Sequence, residues 1–152
     1  MSTEQLHEFF RQKGVKSSSG QGIDWEARKR EFIDSVEELY RTVEEYLADS
    51  IRDNLVKVSF SSKQITEDYM GTYEIREMIL DVGDERAILS PKGRNIVGGI
   101  GRVDLVGPIA EKTLVAQPGG RWSIVVSRTP SLKIVPLDPS SLLTALQEVM
   151  GP

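Results

Sequence analysis

The sequence predicts an α+β fold: a short N-terminal helix, a long amphipathic helix, a curled antiparallel β-meander of six to seven strands and a C-terminal helix. Three observations carry this. Between Asp24 and Asp53 apolar residues recur with helical spacing. Over residues 55–137 the period falls to two, and short β-rich runs alternate with Gly- and Pro-containing turns. Asp138-Pro139 then opens a second helical pattern. The 152 residues, 39% of them hydrophobic, suffice for a single domain with its own core.

Residues 1–16 read as an N-terminal helical arm. Ser2 and Gln5 have capping-box spacing, Leu6, Phe9 and Phe10 form one apolar face, and Gly14 suits a helix end. A helix of about twelve residues is marginal alone, so this one must dock. Residues 17–22, SSSGQG, have the composition of a flexible linker, which lets the arm reach its own domain or a neighbouring copy.

The long helix spans 24–53, with Asp24 as its cap and Glu26 in the first turn. Trp25, Phe32, Ile33, Val36, Leu39, Tyr40, Val43, Tyr46, Leu47 and Ile51 make one broad apolar face. That face serves either the protein's own core or an interface between copies, with Val36, Leu39, Tyr40 and Val43 joining Leu6, Phe9 and Phe10 as interface candidates.

The strand runs are LVKVSF, TYEIREMILDV, RAILS, RVDLV, KTLVA, RWSIVVS and LKIVP, with Gly83-Asp84 as a tight hairpin turn and VGP, QPGG and RTPS between later strands. Trp122, Ile124 and Val126 alternate toward the core. In the C-terminal helix, 138–150, Asp138 caps, Pro139 takes the first position, Leu142, Leu143, Leu146, Val149 and Met150 are buried and Gly151 stops it. In the order of its elements, seven strands closed by one helix, the chain resembles a pleckstrin-homology-like roll.

The stretch KGRNIVGGIGRVD, residues 92–104, invites a phosphate-loop reading. A Walker loop requires lysine and a hydroxyl where Gly99 and Ile100 stand, and a dinucleotide fingerprint requires a helix where Arg102, Val103 and Asp104 continue a strand pattern. Both fail. The glycines then serve a bend or bulge between strands through positive φ, or form a backbone nest for an anion with Lys92, Arg94, Gly98, Gly99, Gly101 and Arg102.

Charge is divided along the chain. Residues 1–85 carry 11 Lys and Arg against 19 Asp and Glu, net −8; residues 86–136 carry 8 against 2, net +6. The halves either neutralise one another, within a fold or across a dimer, or the basic region 86–136 meets nucleic acid or another polyanion.

Catalytic chemistry finds little purchase. The single histidine, His7, excludes a multi-histidine metal site within one chain, and the lack of cysteine excludes thiolate chemistry and fits a reducing compartment. Asp81, Asp84 and Glu85 fall at the hairpin turn, and Glu74 and Glu77 flank Arg76 as solvated strand charges. The opening MSTEQLHEFFRQKG lacks a secretory pattern, and no apolar run approaches membrane-spanning length. The expectation is a soluble, cytoplasmic protein of bacterial type, a non-enzymatic binding or interaction module that forms a homodimer, with no cofactor, metal or membrane contact. A polyanion binder using residues 86–136 is the second reading and an enzyme using carboxylates the third.

Overall fold

The computed structural model describes residues 3–9, 24–94, 101–117 and 119–151. Helix α1 covers residues 3–9, α2 Trp25–Tyr46 and α3 Ala48–Arg52. Strands β1 (Lys57–Glu67), β2 (Gly71–Val82), β3 (Glu85–Gly93), β4 (Gly101–Val106), β5 (Glu111–Gln117), β6 (Arg121–Ser127) and β7 (Lys133–Pro136) follow, and α4 (Pro139–Met150) closes the order. The fold is α+β, as predicted. All seven strands lie in one antiparallel sheet in chain order, with β1 and β7 as its edges. The linker 17–22, together with Phe10, Gly98 and Gly99, lies outside the described residues.

Helix α2 begins where Asp24 accepts a hydrogen bond from the Ala27 amide at 3.0 Å. Its face Phe32, Val36, Leu39, Tyr40 and Val43 is fully buried, each such side chain contributing about 2 kcal/mol of burial. The Tyr40 hydroxyl crosses to the sheet and donates to the Arg76 carbonyl at 2.6 Å, while the Trp122 indole N–H donates to the Ser35 carbonyl at 3.0 Å. Buried phenol and indole donors need such acceptors, and here they fix α2 on the sheet. The helix predicted to run unbroken to Asp53 turns at Leu47, where φ is −99° and ψ is 6°. The bend keeps Leu47 packed on the core and leaves Tyr46 exposed.

At the other end of the chain, Asp138 and Ser141 form a reciprocal capping box that starts α4. Leu142, Ala145 and Val149 face the core. Leu143, predicted to be buried, is 56% exposed. It stands one residue, about 100° of helical turn, off the line of Leu142, and Ala145 completes the contact stripe.

Strand β1 is longer than LVKVSF. It continues through SSKQITE and pairs residue for residue with β2, from Lys57↔Asp81 to Glu67↔Gly71. Polar residues hide this strand from its sequence, and pairing supplies what intrinsic preference does not. Pairing of β2 with β3 starts only at Met78↔Leu89, so Gly71–Glu77 belong to a two-stranded ribbon. Within that ribbon the buried face changes parity: Val58, Phe60, Met78 and Leu80 turn inward at the base, but Lys63, Ile65, Tyr73 and Ile75 do so near the tip. The switch falls at Ser61↔Glu77 and Ser62↔Arg76, with no extra residue in either strand. Twist accumulates fastest in two-stranded ribbons, and here it takes the tip out of the sheet.

Candidate binding surfaces

The glycine-rich stretch begins where this ribbon meets β3. Pro91 has no amide to donate, and the β3–β4 register shifts between Pro91 and Gly93, where φ reaches 137°. The Glu67 carboxylate, on the ribbon, accepts from the Arg94 amide at 2.7 Å and from the Tyr73 hydroxyl. Burial and the Glu67 carboxylate both push the Tyr73 phenol well above its ordinary range. At Gly101 the predicted positive φ is not found; instead the Phe32 ring occupies the place a Cβ would take. Close approach explains that glycine.

The cations predicted to hold an anion are mostly engaged. Arg102 forks onto Asp104 at 2.8 and 3.1 Å, and the Asp104 side chain is only 6% exposed. Arg94 Nη2 lies 3.5 Å from Glu31 of α2, and its buried Nε has no acceptor. Lys92 is exposed. Elsewhere in the basic region Arg86 binds Asp81 at 2.7 Å, Lys112 binds Glu148 of α4 at 2.5 Å and Arg128 donates to Thr113 at 3.0 Å. Arg76 forks onto Glu37 of α2, with Nε at 3.1 Å, and its guanidinium covers the Phe60 ring. Acidic helices and basic strands therefore neutralise one another within the chain at Arg76, Arg94 and Lys112. Among the described residues of the basic region 86–136, Lys92, Arg121, Arg128 and Lys133 pair with no carboxylate.

A polar network that the sequence did not disclose ties the ribbon to β3. Lys63 Nζ donates to Ser90 Oγ at 3.0 Å and to the Pro91 carbonyl at 2.9 Å, and Ser90 Oγ donates to Glu77 at 2.5 Å. Glu77 is thus a structural acceptor rather than a solvated strand charge. Burial, and then the neighbouring Lys92, pull the Lys63 ammonium below the ordinary lysine range, with Glu77 and Asp104 opposing. The only clue in the sequence is a lysine in a run of exposed-looking serines, which is too common to select.

The interface candidates separate into two sets. Val36, Leu39, Tyr40 and Val43 are sealed under the sheet, so of the two roles left open by the sequence they take the core one. On α1, Leu6 is 43% and Phe9 51% exposed, while Phe10 lies outside the described residues.

A cleft of about 290 Å³ opens between α4 and the β6–β7 edge. Ile124, Val126, Val135 and Ala145 give it an apolar floor; Thr144 and the Lys112–Glu148 pair stand at its rim. Val126, predicted to point into the core with Trp122 and Ile124, is 46% exposed. It stands where the β6–β7 register shifts, between Val125 and Ser127. The volume is at the lower end for ligand sites, enough for one or two apolar side chains. Among the described residues no group of three or more His, Cys, Asp or Glu is placed to hold a metal ion, and no helix is long and apolar enough to cross a membrane. Comparison with protein-family models, with curated proteins and with solved structures finds no significant match.

Proposed function

We propose that the chain is a non-enzymatic interaction module that self-associates as a homodimer, using the cleft beside α4 as its receiving surface. The observation that carries the reading is the cleft itself: an apolar floor left open in a chain where four of the eight cations of the basic region, Arg86, Arg94, Arg102 and Lys112, are paired with its own carboxylates. Exposed apolar patches with a polar rim are where proteins meet partners. The cysteine-free composition suits a reducing compartment, and a cytoplasmic location is part of the same proposal.

Sedimentation equilibrium of the full chain tests it. A mass of twice 17.0 kDa at micromolar concentration, little changed by added salt, is expected, and a mass of 17.0 kDa at every concentration overturns it. A second reading, binding of a polyanion, draws support from the exposed Lys92 beside Arg94, whose Nε lacks an acceptor. Polyphosphate or DNA would then raise the melting temperature, steeply less so as salt rises, and Lys92→Ala would abolish the rise. No shift in the wild type disposes of this second reading.

A further inference from the structure

Lys63 stands on β1 where the β1–β2 ribbon meets β3, and there its amine finds two acceptors rather than three. Nζ donates to Ser90 Oγ at 3.0 Å and to the Pro91 carbonyl at 2.9 Å, while the Glu77 carboxylate lies 3.9 Å off, beyond hydrogen-bond reach. Ser90 Oγ gives its own hydrogen to Glu77 at 2.5 Å, so it meets Nζ as an acceptor. A neutral amine has two N–H groups and makes both bonds with its lone pair left over. An ammonium has a third N–H, for which the described residues offer no acceptor. Burial opposes a positive charge on Nζ most, then Lys92 of β3, while Glu77 of β2 and Asp104 of β4 favour one. Those two carboxylates are already engaged, by Ser90 and by Arg102. A lysine desolvated and set beside a second cation is a common route to a nucleophilic amine. The Lys63 side chain keeps 23% of its surface open, which gives a small molecule access, and the neighbouring Lys92 is exposed.

We propose that Lys63 is a reactive amine that takes up a small aldehyde bearing a carboxylate, holding the aldehyde carbon covalently on Nζ and the carboxylate against Lys92. The Nζ lone pair forms a C–N bond to the carbonyl carbon. The carbonyl oxygen then takes one hydrogen from the amine and one proton from solvent and leaves as water, so nothing is oxidised or reduced. The iminium that remains keeps one N–H for Ser90 or Pro91, and its charge faces Glu77 and Asp104 as the ammonium's would. Lys92 supplies one positive charge, which one carboxylate matches. Neither lysine lines the α4 cleft, so this site is independent of the self-association proposed above.

The test exposes the full chain briefly to glyoxylate, fixes any imine with borohydride and reads the extent of labelling at each lysine by peptide mass spectrometry. At pH 8 Lys63 is expected to be labelled several-fold faster than Lys92 or Lys133. That lead should shrink as pH rises past the ordinary lysine value of 10.5, where every lysine becomes free base. Propanal, which has no carboxylate, should give a smaller lead. Lys92→Glu, a change at an exposed site, removes the neighbouring cation and repels the carboxylate, and should erase the lead toward glyoxylate. An unchanged melting curve establishes that this variant is folded. If Lys63 is labelled no faster than Lys133 at pH 8, or if its lead is the same at every pH, Lys63 is not a reactive amine and the proposal falls. If the lead is as large with propanal, or survives Lys92→Glu, the carboxylate-bearing class is wrong.

Discussion

The aromatic ring of Phe32, on α2, lies in the space that a side chain at Gly101, the first residue of β4, would occupy. Helix and sheet touch there without an intervening Cβ. Gly101→Ala should therefore cost about 1–3 kcal/mol, the usual penalty for an extra methyl group in a packed core. Phe32→Leu, which shortens the ring's reach, should absorb most of that cost, so that the double variant is barely less stable than Phe32→Leu alone. Urea unfolding of the two single variants and the double variant measures the coupling.

A charge in the face of α2 should be intolerable. Val43 is fully buried, and Val43→Asp would place a carboxylate on the buried face of α2 that carries Leu39 and Tyr40. Loss of the cooperative thermal transition, read by circular dichroism, is the expected result. A variant that melts like the wild type would show that α2 is not packed as described.

The cations of the basic region should differ sharply in what they contribute. Lys92→Ala, at an exposed site without an ion pair, should change stability by no more than about 0.5 kcal/mol. Arg102→Ala should cost about 1–3 kcal/mol, because it strands the Asp104 carboxylate, whose side chain is 6% exposed. Arg102→Ala/Asp104→Asn should recover part of the loss. Denaturant midpoints at constant m-value give the comparison.

Alkaline pH separates two opposing effects. The Tyr40 and Tyr73 phenols are raised, the first chiefly by burial and the second by burial and Glu67, so the native state keeps protons that the unfolded chain releases above about pH 10. Stability then falls as pH rises past that point. Lys63 has the opposite sign: with its native pKa lowered, the unfolded chain binds the extra proton, and stability rises with pH between the lowered value and the ordinary one of 10.5. Melting temperature against pH should fall less steeply above pH 10 for Tyr73→Phe than for the wild type, and Lys63→Met should lack the wild type's gain below that limb. Parallel curves for all three proteins would contradict the assignment.

Much of the fold is readable in local sequence because local sequence decides it. Asp24 and Asp138 cap the helices that they announce, and Gly83-Asp84 makes the β2–β3 turn, with Gly83 at φ 62°. The helical face Phe32, Val36, Leu39, Tyr40 and Val43 is buried as its period implies. What escaped depends on partners distant in the chain. SSKQITE has no strand signature until β2 lies beside it, and Glu77 acquires its role only when Ser90 and Lys63 arrive from other strands. Gly101 advertised backbone freedom, whereas its requirement is room for a ring 69 residues earlier in the chain. The cleft was invisible because Val126 continues the alternation of Trp122 and Ile124, and neither the register shift at Val126 nor the position of α4 beside it is signalled locally.

An open sheet has two rims of unused amides and carbonyls, and either can recruit further strands into a fibril. The β7 rim is four residues long and ends at Pro136. The β1 rim is eleven residues long, but its ribbon leaves the sheet plane beyond Ser61, and the charge of Lys63 is drawn inward to Ser90 and Pro91. Only Lys57–Ser61 runs along the main sheet as a possible template, and it opens on a lysine and carries two serines. Twist and an inward charge are known guards against strand addition. The tip of the β1–β2 ribbon, unpaired with β3, thus shortens the length of β1 that can template strand addition along the main sheet to the five residues at its base.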